Sequence, residues 1–325
     1  MGLLMSARRG RASGRLRSSP LNALAFAVRE RSFLLNQRRR LRRLATYRAP
    51  AGDVDALLER VKRKQLIFTV TAGRTGTTYL TRLLALFPDT ASTHEPSPSF
   101  VYYLRQAQRW PALARQFLLD YKLPYIAQLA EMRYVETGHL FCKGFFAPLL
   151  ELGIVPRVVV LRRHPRLIAA SLLTRRTVPG RGKLGLKYLV HPGDPGVLQL
   201  PAWTSRSDYQ LCFWYTLEIE RRQRDYAARL ARAGGTSVDV TPDELHDGAR
   251  FLSVAESLGL LDARVDRDAL LRQHAEVSSV TYNANEIPLA ISATRDSDEA
   301  LVWEAVAPQA PWLRGEVARR YGDCR

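Results

Sequence analysis

Hydrophobic and polar positions follow two rhythms along this chain. Gln65-Leu-Ile-Phe-Thr-Val-Thr71 and Val155 to Leu161 are unbroken, largely apolar runs of the length of buried parallel strands. Shorter runs at Thr90 to His94, His139 to Lys143 and Ser237 to Val240 predict further strands. Between them the period lengthens to that of a helix: Val54 to Lys64, Thr78 to Phe87, about 99–118 and 123–134, from Pro165 to Leu173, and Ser207 to Leu230. The C-terminal third is mostly helical in pattern. Strands alternating with helices predict an α/β fold, a central parallel sheet with helices on both faces and ligands at the strand C-termini.

Two segments break the alternation. Residues 178–207 hold five Gly and four Pro, which predicts a long irregular loop and a candidate lid. Leu21 to Leu44 reads as a helix with Leu21, Leu24, Val28, Leu35 and Leu41 among many arginines. Such a stripe is the ordinary mark of a packed helix, so the expectation is that it docks on the body and leaves the arginines in water. The other reading is a basic amphipathic helix on an anionic membrane or on nucleic acid. The chain is thus expected to be a basic, partly disordered arm (1–50) and an α/β domain (51–325).

Charge sharpens that division. The chain of 325 residues has a formal net charge of +18, and residues 1–50 supply +12 of it through 13 Arg and one acid, Glu30. The remainder is mildly cationic, which suits an anionic ligand. An apolar fraction of 46% excludes wholesale disorder. The longest apolar run of the arm, Leu21 to Val28, is eight residues and contains Asn22, too short for a membrane span. Met1-Gly2 with Ser6 fits a myristoylation start, and the Arg-rich, acid-poor beginning resembles a transit peptide. Three scattered cysteines, Cys142, Cys212 and Cys324, form no disulfide framework or zinc spacing and fit a reducing, cytoplasmic location, with peripheral membrane contact through residues 1–48 left open. The arm has few aromatics (Phe26, Phe33, Tyr47), so nucleic acid is not the expected partner.

The most informative segment is Phe68-Thr-Val-Thr-Ala-Gly73-Arg74-Thr75-Gly76-Thr77-Thr78-Tyr79. A buried strand running through a glycine turn into a helix aims successive backbone N–H groups at one concavity, a phosphate cradle. It is not the loop of a nucleoside triphosphatase, because Thr77 stands where the lysine belongs and Thr71 where the first glycine belongs. The strand Arg157 to Leu161 runs into Arg162-Arg163 rather than into a metal-holding Asp. Those cations predict a second phosphate and no metal.

Gly73-Arg-Thr-Gly-Thr-Thr-Tyr79 resembles the 5′-phosphosulfate loop of sulfotransferases that use 3′-phosphoadenosine 5′-phosphosulfate (PAPS). Arg163-His-Pro-Arg-Leu-Ile-Ala-Ala-Ser171 resembles their 3′-phosphate motif, an Arg-x-Pro with Ser eight positions after the Arg. The resemblance is strongest over about residues 65–175 and continues more weakly near Trp214, over Val238 to Leu261 and at Tyr321-Gly322. It implies the nucleotide-binding fold that this family shares with P-loop NTPases, and PAPS as donor with no metal required. It implies that Gly73, Arg74, Thr75, Gly76, Thr77 and Thr78 hold the phosphosulfate and that Arg163 and Ser171 hold the 3′-phosphate. Arg74 stands where many Golgi-type, tyrosylprotein and bacterial members carry arginine. Arg181-Gly-Lys183 is a candidate for an added 3′-phosphate contact.

The implied reaction is in-line attack of an acceptor hydroxyl or amine on sulfur. Carbohydrate, lipid, peptide and small metabolite all fit as acceptors. Such a step needs cations on the leaving oxygen and a base on the nucleophile. Arg74 suits the leaving side, because it stays charged and donates in a fork. Thr93-His94-Glu95-Pro96 follows a predicted strand, and Glu95, with His94 as the alternative, is the candidate base. Lys143 is a candidate for a sulfate or acceptor contact. His164 is expected to fill a turn, Arg162 to pair with an acid, and Phe213-Trp214-Tyr215 to pack in the core. The segment 178–207 becomes a candidate acceptor lid. The alternatives are a P-loop kinase or other NTPase, a nucleic-acid- or membrane-binding protein using the arm, and a scaffold that has lost its chemistry.

Overall fold

The computed structural model describes residues 19–44, 52–280 and 293–322, without the side chains of 38–44 and 293–295. The first 18 residues of the basic arm, with the myristoylation-like and transit-like start, lie outside the described residues, as do Tyr47 and Cys324.

The protein is α/β. Five parallel strands run in the order β2 (Thr90–His94), β3 (Arg133–Thr137), β1 (Gln65–Val70), β4 (Arg157–Leu161), β5 (Ser237–Val240). Helices α1 (Pro20–Leu44) and α2 (Val54–Lys62) precede the sheet, and α3 (Thr77–Leu84) joins β1 to β2. Three short helices, α4 (Leu104–Ala107), α5 (Pro111–Phe117) and α6 (Leu123–Gln128), lead to β3, and α7 (Phe146–Glu151) leads to β4. Between β4 and β5 lie α8 (Pro165–Thr174), α9 (Gly182–Tyr188) and α10 (Asp208–Arg232). The chain closes with α11 (Gly248–Ser257), α12 (Arg267–Ser278), α13 (Ala293–Val306) and α14 (Pro311–Tyr321).

Side chains of β1 alternate between two cores, as the pleat requires. Leu66, Phe68 and Val70 face a large core shared with α5, α7 and α10, whereas Ile67 faces a smaller one shared with α3 and α11. After β1 the chain moves out to β2, returns to β3, then crosses to β4 on the other side of β1. The C-terminal end of β1 is therefore the switch point of the sheet, where α/β folds open a crevice.

Five expectations need correction. His139 to Lys143 is a turn, and the strand lies earlier, at β3. The stretch 99–118 is broken into a 3-10 turn, α4 and α5, with the break before Pro111, and 123–134 ends its helix at Gln128.

Residues 178–207 are not one irregular loop. Val178, Leu186, Leu189, Val190, Leu198 and Leu200 are buried, and α9 lies within the segment. It is stapled to the body where Asp194 takes both forks of Arg105 at 2.7 and 3.0 Å, and where Leu198 N donates to Glu218 (3.0 Å) and Leu198 O accepts from Trp214 Nε1 (2.9 Å). Its glycines and prolines shape a packed excursion.

The helix at the N-terminus docks, but by the opposite face. Phe26 packs edge-on against Trp203 and His191 at 4.6 and 4.9 Å, Glu30 accepts from Arg109 at 2.6 Å, and Gln37 donates to Val101 O at 3.4 Å. Leu21, Leu24, Val28 and Leu35 point away and are exposed. Docking here rests on aromatic and polar contacts rather than on the leucine stripe.

Candidate active site

The glycine-bearing loop is built at the C-terminal end of β1. Gly73 (φ +82°), Arg74 (φ +61°) and Gly76 (φ +79°) are all left-handed, which curls the chain into a concavity of N–H groups. A Cβ on Gly73 would stand 3.0 Å from the His139 ring, and one on Gly76 3.0 Å from Pro242, so the neighbours also demand glycine. The loop is braced from below. Tyr215 Oη donates to Ala72 O at 2.7 Å, and the hydroxyls of Thr71 and Thr75 bond each other at 2.6 Å. Gly76 caps α3 without any side-chain acceptor, so the first-turn N–H groups of Thr77 and Thr78 face the concavity unsatisfied by the cap.

The second motif closes on the first. Arg74 Nε donates to Ser171 Oγ at 3.0 Å, and Arg163 Nη1 donates to Arg74 O at 2.9 Å. Ser171 accepts from Arg74 and so keeps its own proton for another acceptor. Burial, with Arg175 and Arg163 nearby, pulls the Arg74 pKa below its usual value. Three cations thus crowd one place, and burial strips Arg74 of part of its water.

Arg74, Thr75, Gly76, Thr77, Thr78, His94, Arg163 and Ser171 thus line one cleft of about 560 Å³. Gly73 and Glu95 are not among its lining residues; both abut His139 instead. Thr75 offers the cleft backbone only, its hydroxyl being committed to Thr71. Arg162 also lines the cleft, but its guanidinium is already paired, held by Glu220, by Asp239 at 2.7 Å and by Gln223 at 2.6 Å. The positive end of β4 is therefore Arg163 alone. His164 fills its turn, accepting from Arg166 N at 3.0 Å. Arg181 lies elsewhere, donating to Thr204 O and Arg206 O at 3.0 and 3.1 Å, and Lys183 lines a different cleft. Neither reaches the cleft of Arg74, Arg163 and Ser171. Trp214 and Tyr215 are core, as expected.

Beside the loop, the ends of β2 and β3 carry a second constellation. Glu95 adopts φ +47°, a strained conformation for a side-chain-bearing residue, which turns its carboxylate onto the turn after β3. There Oε1 accepts from His139 N at 3.2 Å and lies 3.4 Å from His139 Nε2. Gly138 leaves the room, since a Cβ there would stand 2.6 Å from Glu95 Cγ. Buried Lys143 donates to Tyr188 O at 2.7 Å and faces His139 Nδ1. When Lys143 donates to Nδ1, the ring proton sits on Nε2, toward Glu95. Burial, then Lys143, His94 and Arg74, hold the His139 pKa well below the usual value, so the ring is neutral at pH 7. Burial pushes the Lys143 ammonium down to about 7.

Sequence reasoning missed His139, whose part appears only when β3 meets the loop. It also missed Thr241, Pro242, Asp243 and His246, which line the cleft from the end of β5. The signal available for these was position, because residues just past a strand C-terminus in such a sheet surround the ligand. No model of a known protein family matches the chain, and no curated protein matches it.

Proposed function

We propose that the protein is a sulfotransferase that uses PAPS as donor and a hydroxyl or amine as acceptor. The observation that carries the reading is the joining of the two anion motifs. Arg74 and Ser171, 97 residues apart, bond each other, and Arg163 clamps the loop from the side of β4. A nucleotide with anions at both its 5′ and 3′ ends fits such a double cradle.

The residues present suit that donor. The N–H groups of Gly76, Thr77 and Thr78 and the Arg74 guanidinium would hold the phosphosulfate, and Arg163 and the Ser171 hydroxyl the 3′-phosphate. The donor supplies a sulfuryl group: the acceptor forms a new bond to sulfur, the bridging S–O bond breaks, and adenosine 3′,5′-bisphosphate leaves. Arg74 stabilises negative charge on the leaving side, and its loss should lower the rate on the order of 10²–10³-fold. Glu95 takes the acceptor's proton. His139 fixes that carboxylate through its backbone N–H and Nε2–H, and Lys143 orients His139.

His94 is the second reading for the base, favoured by its exposed place on the cleft wall. Glu95→Gln and His94→Ala separate the two, because only loss of the base abolishes turnover while leaving donor affinity intact. The test of the whole reading is calorimetric titration with adenosine 3′,5′-bisphosphate, with and without Mg²⁺, beside ATP. Metal-independent binding that ATP cannot match supports it. No binding, or a preference for Mg-ATP, refutes it and favours a P-loop kinase or NTPase.

A further inference from the structure

The outward side of α1 combines two features that the docked body does not use. Leu21, Leu24, Val28 and Leu35 are 77, 62, 62 and 56% exposed. At 3.6 residues per turn they fall on one line, opposite Phe26, Glu30 and Gln37, which hold the helix down. The line is about 21 Å long. Beside it stand Arg29 and Arg31, exposed and in no ion pair among the described residues. The helix then continues into Arg38, Arg39, Arg40, Arg42 and Arg43 by sequence. Its one carboxylate, Glu30, is buried and turned inward to Arg109. Next to α1, across a cleft of about 880 Å³, α9 adds Lys183 and the exposed Leu184.

We infer that this face of α1 is a docking surface for an anionic lipid bilayer. The helix lies in the interface plane, its leucines in the acyl boundary and its arginines among the headgroup phosphates. Among the described residues no helix is long and apolar enough to cross a membrane, so the contact is peripheral. A second copy of the chain fits the surface poorly. Positions 21, 24, 28 and 35 match a heptad seam, but the seam position between Val28 and Leu35 is Arg31, which would oppose its own mate. A nucleic acid would satisfy the arginines and leave four large aliphatic side chains in water. An anionic bilayer takes both. The inference does not depend on sulfuryl transfer.

The test is flotation of the full chain with phosphatidylcholine vesicles, with and without phosphatidylglycerol. The wild type is expected to float with the anionic vesicles only, and high salt should release it. Leu24→Ser/Val28→Ser should weaken vesicle binding by about tenfold or more. Arg29→Gln/Arg31→Gln should weaken it roughly fivefold per charge. Both pairs are exposed, so an unchanged melting temperature checks that the fold is intact. Three results would overturn the inference: no flotation of the wild type, full binding by the leucine variant, or a wild-type dimer that the leucine variant dissolves without any vesicle binding.

Discussion

Arg163→Ala tests the double cradle more sharply than any change in the loop. In the free protein the Arg163 guanidinium, partly exposed, donates to Arg74 O at 2.9 Å. The loop does not depend on that one bond. Tyr215 to Ala72 and Thr71 to Thr75 hold its base. The substitution should therefore leave the 5′ cradle shaped while removing one charge-assisted contact to a 3′-phosphate. Such a contact contributes about 1.5–3 kcal/mol, or roughly 10- to 150-fold in affinity. The assay is titration calorimetry at fixed ionic strength, because the charge is partly open to screening. Adenosine 3′,5′-bisphosphate should lose that factor, and adenosine 5′-phosphate should change by less than about threefold. Equal losses for both ligands would mean that Arg163 only shapes the loop. No loss for either would remove the 3′ site altogether, and with it the reason to prefer a bisphosphate donor.

Other consequences can be measured independently. Gly138→Ala puts a methyl group where Glu95 Cγ lies 2.6 Å away, so the carboxylate must move. Turnover should fall at least tenfold with donor affinity unchanged, and unaltered turnover would remove Glu95 from the reaction. Asp194→Asn leaves the buried Arg105 guanidinium without its anion, and urea unfolding should register a loss of about 3–5 kcal/mol. Lys143, at about 7 in the folded protein against 10.5 for a free lysine, makes the unfolded chain bind more protons between those values. Stability should thus rise with pH from about 7 toward 10.5, by up to ~1.4 kcal/mol per pH unit from this group. Lys143→Met should flatten that slope in urea unfolding at pH 7 and pH 9, and an identical slope would refute the assignment.

What the sequence revealed and what it hid have physical reasons. β1 and β4 are buried on both faces and read as apolar runs. β3 is equally buried but reads Arg-Tyr-Val-Glu-Thr, because Lys122 neutralises Glu136 at 2.9 Å and Asp262 meets Arg133 at 2.5 Å. Partners distant in sequence make a polar strand possible, and no local pattern announces them. The same holds for α1, where His191 and Arg109 let a carboxylate serve as an anchor while leucines face out. The strand–turn–helix of β1, Gly73 to Gly76 and α3 was legible because it depends on glycine and local order. The Glu95–His139–Lys143 group was legible only in part, since it needs β2 and β3 to lie side by side.

The crowding of Arg74, Arg163 and Arg175 has a consequence for how long the protein lasts. Three like charges drawn together are a standing repulsion, and a polyanion bound among them would relieve it. Occupancy therefore becomes a term in folding: an anion at 100 times its dissociation constant adds about 2.7 kcal/mol to the folded side. On the function proposed above, the chain should survive heat and protease better as the supply of the donor nucleotide rises, with the logarithm of its concentration. Cells short of that nucleotide would then carry less of the protein, with no change in its synthesis.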